Sequence, residues 1–257
     1  GAASRALVHA EVFELVRVAL ESVAEEASQR EVYVRQVVEA GLLTGDALRA
    51  ALAPGEHPGL RRAALRFVRA VLEADFSTVN GLLVHAGLWP LLIAAACSTA
   101  SGRLLGQDGV ASGDVAGGDE RPRLDSIIDS ATVMGDVVAM VGLVAKCDPQ
   151  MLLWLSASTE LLGDWQECLA ELAMHFRRST VMSVRAARVL TSHLSALHAV
   201  LTALRLQTSD DADVSGCRHW LPISAFVASA AARAAASEGL RPTSPPEARR
   251  MAAAVVA

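Results

Sequence analysis

The chain has 257 residues, a formal net charge of −5, 52% hydrophobic residues and 4% aromatic residues. The negative charge argues against a broad nucleic-acid-binding surface, and the high apolar content excludes an intrinsically disordered chain. Most of the apolar side chains are Ala, Leu and Val, a composition typical of packed helices.

Apolar residues recur at helical spacing along most of the sequence, and no segment has the sustained alternation of a β-strand. The sequence therefore predicts an all-α protein. In the first predicted helix, Val8, Val12 and Leu15 lie on one stripe that we expect to face the core. The predicted helices are 5–26, 31–40, 44–52, 59–74, 77–86, 89–97, 123–146, 149–162, 165–176, 180–206, 221–237 and 247–257.

Three segments interrupt this helical pattern. Residues 99–122 are rich in Gly, Asp and Ser, and we expect a flexible insertion that the fold does not require. Residues 207–216 are polar and predict a loop. Residues 241–246 contain three prolines and predict a linker before the last helix.

The word Val-x-Ala-Gly-Leu occurs twice, at 38–42 and at 84–88, and the two copies start 46 residues apart. Each copy ends one predicted helix and precedes another, and its glycine can take the left-handed conformation that ends a helix. The second copy is followed by Pro90. The first copy has Thr44 and Gly45 where that proline would fall.

The pattern of residues 29–98 resembles the armadillo repeat family, whose unit combines two short helices with a long third helix. The resemblance implies a right-handed α-solenoid of armadillo- or HEAT-like repeats over residues 1–257, cut through a repeat at both ends. Stacked units of this kind bury apolar faces that a single unit cannot bury alone. An ordinary alanine-rich helical bundle is the alternative.

Arginines line up on two of the long predicted helices. In the armadillo-like arrangement these helices line a concave groove, where arginine side chains would bind the carboxylates of an acidic or extended peptide. A solvated helix face is the alternative for each arginine. The candidate partner-binding residues are Arg62, Arg66, Arg69, Arg185 and Arg188.

No residue pattern indicates catalysis. Cys217 and His219 are a Cys–His pair at ligand-like spacing, but a structural zinc site needs four ligands. His193 and His198 are five residues apart, so they do not share a helix face as two zinc-binding histidines would. We therefore expect no enzymatic activity, no cofactor and no metal site. The tryptophans Trp89, Trp154, Trp165 and Trp220 are expected to pack in the core rather than to serve as exposed binding anchors.

These observations favour a non-catalytic protein-binding scaffold or adaptor whose partner is a protein or an acidic peptide, not a nucleic acid. The four separated cysteines favour reduced thiols and a cytoplasmic location. We expect no membrane span, because Pro90 and Asp136 interrupt the most apolar runs. The alternative function is the regulatory helical portion of a larger enzyme, such as a kinase-associated or ubiquitin-pathway protein. A nuclear transport receptor is disfavoured, because the groove asparagines of those armadillo proteins are not matched.

Overall fold

The computed structural model describes residues 2–22, 27–53, 56–106, 121–156, 159–178, 183–210 and 221–257. All regular secondary structure in these ranges is α-helical, which confirms the predicted all-α class. The helices are α1 (Ala2–Ser22), α2 (Ala27–Glu39), α3 (Asp46–Leu52), α4 (Pro58–Ala74), α5 (Phe76–His85), α6 (Trp89–Gly106), α7 (Arg121–Cys147), α8 (Pro149–Ser156), α9 (Thr159–Arg178), α10 (Val184–Asp210), α11 (Leu221–Val227), α12 (Ala230–Gly239) and α13 (Pro246–Val256).

The chain divides into two compact units, which we call unit 1 (Gly1–Thr99) and unit 2 (Ala100–Ala257). The division falls within α6. Because each unit has its own core, we describe each by itself. The predicted arrangement as one solenoid over the whole chain stays a prediction.

In unit 1, α4 is the central helix, and α1, α2, α3 and α5 pack against it. The ring of Phe13 on α1 stacks on the ring of Phe67 on α4, with the ring centroids 5.0 Å apart. The predicted core stripe of α1 is wrong, because Val8 and Leu15 are 55% and 69% exposed. This helix is apolar on more than one face, so the spacing of apolar residues alone does not predict which face is buried. The buried face is the one that carries Phe13, because its ring stacks on Phe67.

The two copies of the repeated word form the same helix end. Gly41 and Gly87 have φ angles of 69° and 62°, a region that favours glycine. In each copy the glycine N–H donates to the carbonyl of the word's valine, at 2.9 and 3.0 Å. The leucine N–H donates to the carbonyl of the residue before that valine, at 3.3 and 2.9 Å. This pair of bonds is the Schellman motif, and it confirms that both glycines end a helix.

In unit 2, the two long helices α7 and α10 pack side by side, and α9, α12 and α13 cover them. Gly142 on α7 allows this close packing, because a Cβ atom there would lie 3.1 Å from the Cα of Ala196 on α10. Helix α13, the last predicted helix, packs against α10 and α12. The core of unit 2 therefore depends on small residues at helix crossings, as the alanine-rich composition suggests.

Two predicted helix boundaries in unit 2 are wrong. The predicted helix 221–237 is two helices, because Ser229 begins a new one: its Oγ accepts a hydrogen bond from the Ala232 N–H at 3.3 Å. The predicted break before Trp165 does not occur, because Gly163 and Asp164 lie inside α9. Helix α8 covers Pro149–Ser156, and α9 begins at Thr159.

The three predicted interruptions differ in outcome. The predicted insertion, 99–122, is wrong at both ends, because α6 includes residues 99–106 and α7 includes residues 121–122. Residues 107–120 lie outside the described residues. Helix α10 extends to Asp210 and so includes residues 207–210 of the predicted polar loop. The rest of that loop, 211–216, lies outside the described residues. Residues 241–245 connect α12 to α13 as expected, with Pro246 as the first residue of α13.

Two helices among the described residues are long and apolar enough to cross a membrane, Ile127–Cys147 and Val184–Gln207. A third candidate arises if Phe76–His85 and Trp89–Cys97, bent by 87°, count as one span. In the structure, 67% and 56% of the first two windows are buried within the protein, because α7 and α10 pack against each other. The expected absence of a membrane span stays a prediction.

Candidate functional site

The predicted arginines fall into both units. On α4 of unit 1, Arg62, Arg66 and Arg69 are half-buried and share one side of the helix. Arg66 pairs with Glu14 of α1 at 3.6 Å, and Arg69 pairs with Glu73 at 2.8 Å. Acidic residues of the same unit therefore already contact Arg66 and Arg69.

The other two predicted arginines lie on α10 of unit 2. Arg185 forms an ion pair with Asp129 of α7. Arg188 is exposed one turn further along the same helix. The structure therefore supports a basic face on each of two helices, and the combined binding surface stays a prediction.

Helix ends and small residues shape a groove on unit 2 that the sequence analysis missed. It has a volume of about 840 Å³ and is bounded by α10, α11, α12 and α13. Ala232 and Ala236 of α12, both fully buried, form its floor. Its walls include Leu201 and Leu204 of α10, Leu221 of α11, Leu240 after α12 and Val256 of α13.

Gly239 fixes the position of α12 beneath this groove. A Cβ atom at Gly239 would lie 2.8 Å from the Cβ of Ala252 on α13 and 2.9 Å from Leu194 on α10. The groove floor therefore requires glycine at this position, because a methyl group would push three helices apart.

A cluster of hydrogen bonds around the buried carboxylate of Glu238 holds the connection between α12 and α13 in place. Glu238 accepts hydrogen bonds from Arg177 at 3.3 Å and from Arg241 at 2.9 Å. Arg241 also donates to the Phe176 carbonyl at 2.7 Å, and the Ser244 hydroxyl donates to the Glu238 carbonyl at 2.8 Å. This cluster holds the end of α9 and the α12–α13 turn together and so supports the wall of the groove.

Two arginines lie in the lining of the groove, Arg205 of α10 and Arg233 of α12. Arg233 donates to the carbonyl oxygen of Ala228, which is a neutral group. None of the described lining residues is Asp or Glu. The described lining is therefore mostly apolar, with two arginines in it.

His193 lies at the centre of unit 2 and is fully buried. Its Nδ1 accepts a hydrogen bond from the indole N–H of Trp165 at 3.0 Å, and its Nε2 lies 3.0 Å from the Ala131 carbonyl oxygen. Because a carbonyl oxygen can only accept, Nε2 carries the proton and the ring is neutral. Burial lowers the pKa of His193 to about 4. The ring joins α7, α9 and α10, and no substrate can reach it.

Trp89 plays the corresponding part in unit 1. Its indole N–H donates to the Oδ1 of Asn80 at 3.1 Å, and both side chains are buried. The prediction of core packing is confirmed for Trp89 and Trp165, which are each 1% exposed. The side chains of Trp154 and Trp220 lie outside the described residues.

The described residues contain no group of three or more His, Cys, Asp or Glu side chains placed to hold a metal ion. Cys97 and Cys168 are buried, as expected, whereas Cys147 is exposed. Cys217 and His219, which we do not expect to form a zinc site, lie outside the described residues. A second cavity, beneath Trp165, has about 10 Å³ of space and holds at most one water molecule.

The sequence does contain a signal for the helix boundary beside the groove, although the alanine-rich composition around it makes the signal hard to recognise. Ser229 is a good N-cap residue inside an alanine-rich run, and it separates α11 from α12, two helices that both contribute residues to the groove lining. The run Ala230–Ala236 contains six alanines besides Arg233, so its periodicity carries little information about the buried face.

No protein-family model matches the chain, and neither does any curated protein or solved structure. The resemblance to armadillo repeats stays a prediction from the residues that carry it.

Proposed function

We propose that the chain is a non-catalytic protein-binding scaffold or adaptor, with the groove between α10, α11, α12 and α13 as its binding surface. The observation that carries the proposal is this groove, because it exposes large apolar side chains around an apolar floor. Leu221, Leu240 and Val256 are 60%, 43% and 63% exposed and belong to one continuous lining. Contiguous exposed apolar surface of this kind marks interaction sites.

A protein partner would gain free energy by covering this lining. Removal of apolar surface from water contributes roughly 25 cal/mol per Å², and much of each of the three side chains is still in water. The floor and walls are held by close helix packing at Gly239 and by the Glu238 cluster, so the groove needs little ordering before it binds.

The finer proposal is that the helices are arranged as armadillo-like repeats. It is supported by the Schellman motif at both copies of the repeated word and by the early proline of α6. In this proposal the arginines of α4 and those of α10 are two further, weaker sites for acidic segments, one on each unit, and the protein acts in the cytoplasm without a cofactor.

Site-specific photo-crosslinking in cells tests the groove directly. A photoreactive phenylalanine analogue replaces Leu240 in the groove or, as the matched control, Met174 on α9, which is 55% exposed and outside the groove lining. We expect a discrete crosslinked partner from position 240 and none from position 174. Equal labelling at both positions, or no labelling at 240, would contradict the proposal. The identity of the partner also decides the alternative, since a catalytic domain would indicate a regulatory portion of an enzyme.

A further inference from the structure

We infer that His193 and Trp165 form an acid-sensitive latch that holds α11 on the core of unit 2 and releases it when His193 takes up a proton. The inference follows from the hydrogen bonds of the imidazole ring, the contact between Trp165 and α11, and the small number of buried side chains on α11. Because α11 supplies Leu221 and Ser224 to the groove lining, its release would remove one wall of the groove. That consequence rests on the proposed function, whereas the release itself does not.

The hydrogen bonds of His193 fit only the neutral ring. Its Nε2–H donates to the Ala131 carbonyl oxygen at 3.0 Å, while its Nδ1 accepts from the indole N–H of Trp165 at 3.0 Å. A protonated imidazole carries an N–H group on both nitrogens. Two donors would then face each other between Nδ1 and the indole, whereas the bond to Ala131 would remain. Protonation therefore acts on Trp165 of α9 and leaves the bond to α7 intact.

The surroundings of the imidazole keep it neutral while the latch is closed. His193 is fully buried, and burial lowers its pKa to about 4. On the two helices that contact the ring, the buried titratable side chains nearest to it in sequence position are Asp136 of α7 and Cys168 of α9. The other carboxylates of the adjacent turns are partly or fully exposed: Asp129, Asp164 and Glu167. Among the described residues no carboxylate is hydrogen-bonded to the ring, so the ring takes up its proton mainly when the latch opens.

Trp165 links the imidazole to α11. Its ring lies against the ring of Phe226, with the ring centroids 4.7 Å apart. Phe226 and Ile223 are the buried residues of α11, and this helix of seven residues contains no titratable side chain. Both residues also border, together with Trp165, the cavity of about 10 Å³, so the indole has space beside it into which it can move. A displacement of Trp165 therefore removes the support of one of the two side chains that hold α11 on the core.

A short helix held by two side chains can open without the unfolding of its unit. Local opening costs less free energy where few apolar side chains are buried, so we expect α11 to open more often than α7 and α10 at every pH. The closed ring has a pKa of about 4, and the released ring regains its ordinary value of 6.5. The latch is therefore fully stable above pH 6.5 and weakens as the pH falls towards 4.

Hydrogen exchange of the whole chain at pH 7 and pH 5, measured by mass spectrometry, tests the latch at α11 itself. After correction for intrinsic exchange rates, the protection of peptides from α11 should fall about twentyfold, the change in the opening equilibrium that pKa values of 4 and 6.5 give. These peptides should also be less protected than peptides from α7 and α10 at both pH values, because α11 opens locally.

Two substitutions separate the latch from the general effect of acid on unit 2. His193→Gln keeps an acceptor for the indole N–H and a donor for the Ala131 carbonyl but does not titrate, so the protection of α11 should no longer depend on pH. Trp165→Phe keeps a ring against Phe226 but removes the indole N–H. In this variant α11 should again be insensitive to pH, while α7 and α10 still respond.

The matched control is Trp89→Phe, which makes the same change at the buried tryptophan of unit 1. It should leave the response of α11 to pH as it is in the unmodified chain. Circular dichroism at pH 7 shows whether each variant keeps its helix content. If one of the two unit 2 variants does not fold, the other decides.

Three results would overturn the inference. If the protection of α11 is the same at pH 7 and pH 5 in the unmodified chain, α11 has no acid-sensitive latch. If α11 still responds in His193→Gln, another group takes up the proton. If α11 still responds in Trp165→Phe, the effect does not pass through the indole hydrogen bond. All three are measured on the chain without a partner, so they are independent of crosslinking at Leu240, which tests the groove as a protein-binding surface.

Discussion

Among the side chains that the structure describes, each unit buries one tryptophan and satisfies its indole N–H with a single side chain, but the two accepting side chains differ in their chemistry. In unit 1 the acceptor is the amide of Asn80, which does not titrate. In unit 2 the acceptor is the imidazole of His193, which can take up a proton. We therefore expect the two cores to differ in their response to pH, because only one of the two acceptors can take up a proton.

The arginines of the two units differ in a related way. In unit 1, Arg66 and Arg69 contact carboxylates of the same unit. In unit 2, Arg233 lies in the lining of an apolar groove and donates to the neutral carbonyl of Ala228. A basic residue in the sequence therefore says little about a binding site until its contacts in the fold are known.

The largest expected effect is a loss of stability of unit 2 in mild acid. The folded-state pKa of His193 is about 4, below its ordinary value of 6.5, so the unfolded chain binds the proton more readily. The stabilising contribution is complete above pH 6.5 and falls as the pH drops towards 4, by about 3 kcal/mol in total. Burial also lowers the pKa of His175 in the same unit, which adds in the same direction.

Hydrogen exchange measured by mass spectrometry between pH 7 and pH 4.5 checks this expectation. After correction for intrinsic exchange rates, peptides from α7, α9 and α10 should lose protection, and peptides from α4 and α5 should not. In His193→Gln protein the response of unit 2 to pH should become smaller. Loss of protection in unit 1 first would mean that the comparison of the two acceptors is wrong.

The second effect is the loss of the indole hydrogen bond. Trp165→Phe and Trp89→Phe each remove the donor and leave a buried acceptor, and each should lower the free energy of unfolding of its unit by about 2 kcal/mol. Chemical denaturation followed by circular dichroism measures both. The pH dependence assigned to His193 should persist in Trp165→Phe, since the imidazole is still buried.

A smaller effect is expected at the two helix ends formed by the repeated word. Gly41→Ala and Gly87→Ala should each cost about 1 kcal/mol, because a side chain disfavours positive φ, although nothing lies within 4 Å of the new Cβ atom. Gly81→Ala is the matched control: it lies inside α5 without a positive φ and should stabilise the helix by about 0.5 kcal/mol. Equal costs at the two ends would strengthen the proposed repeat, and a large difference would weaken it.

The smallest effect concerns the ion pairs of unit 1. Arg66→Ala and Arg69→Ala should each change the free energy of unfolding by less than about 0.5 kcal/mol, because these side chains are partly exposed to solvent. Thermal unfolding in low and high salt measures the change. A cost above about 1 kcal/mol would show that the α4 arginines are structural and would remove them as a binding surface.

Local sequence signals predicted much of the helical architecture. Glycine in a helix-ending word identified the turns at Gly41 and Gly87, since that conformation favours glycine over other residues. The prediction of the buried face of α1 was wrong, because several faces of this helix are apolar. The contact that decides between them joins Phe13 to Phe67, which are 54 residues apart in the sequence. The groove and the His193 bridge also depend on helices distant in sequence, which periodicity within one helix cannot pair.

The most direct test of the central claim compares the groove with the α4 arginines for the same ligand, the partner identified by crosslinking at position 240. Isothermal titration measures its affinity for the unmodified chain, for Leu240→Glu in the groove and for Arg66→Gln on α4, two variants with the same change in net charge. We predict that the groove variant binds at least about tenfold more weakly, or about 1.4 kcal/mol, and that the α4 variant binds unchanged. Weaker binding by the α4 variant with an unchanged groove variant would contradict the account.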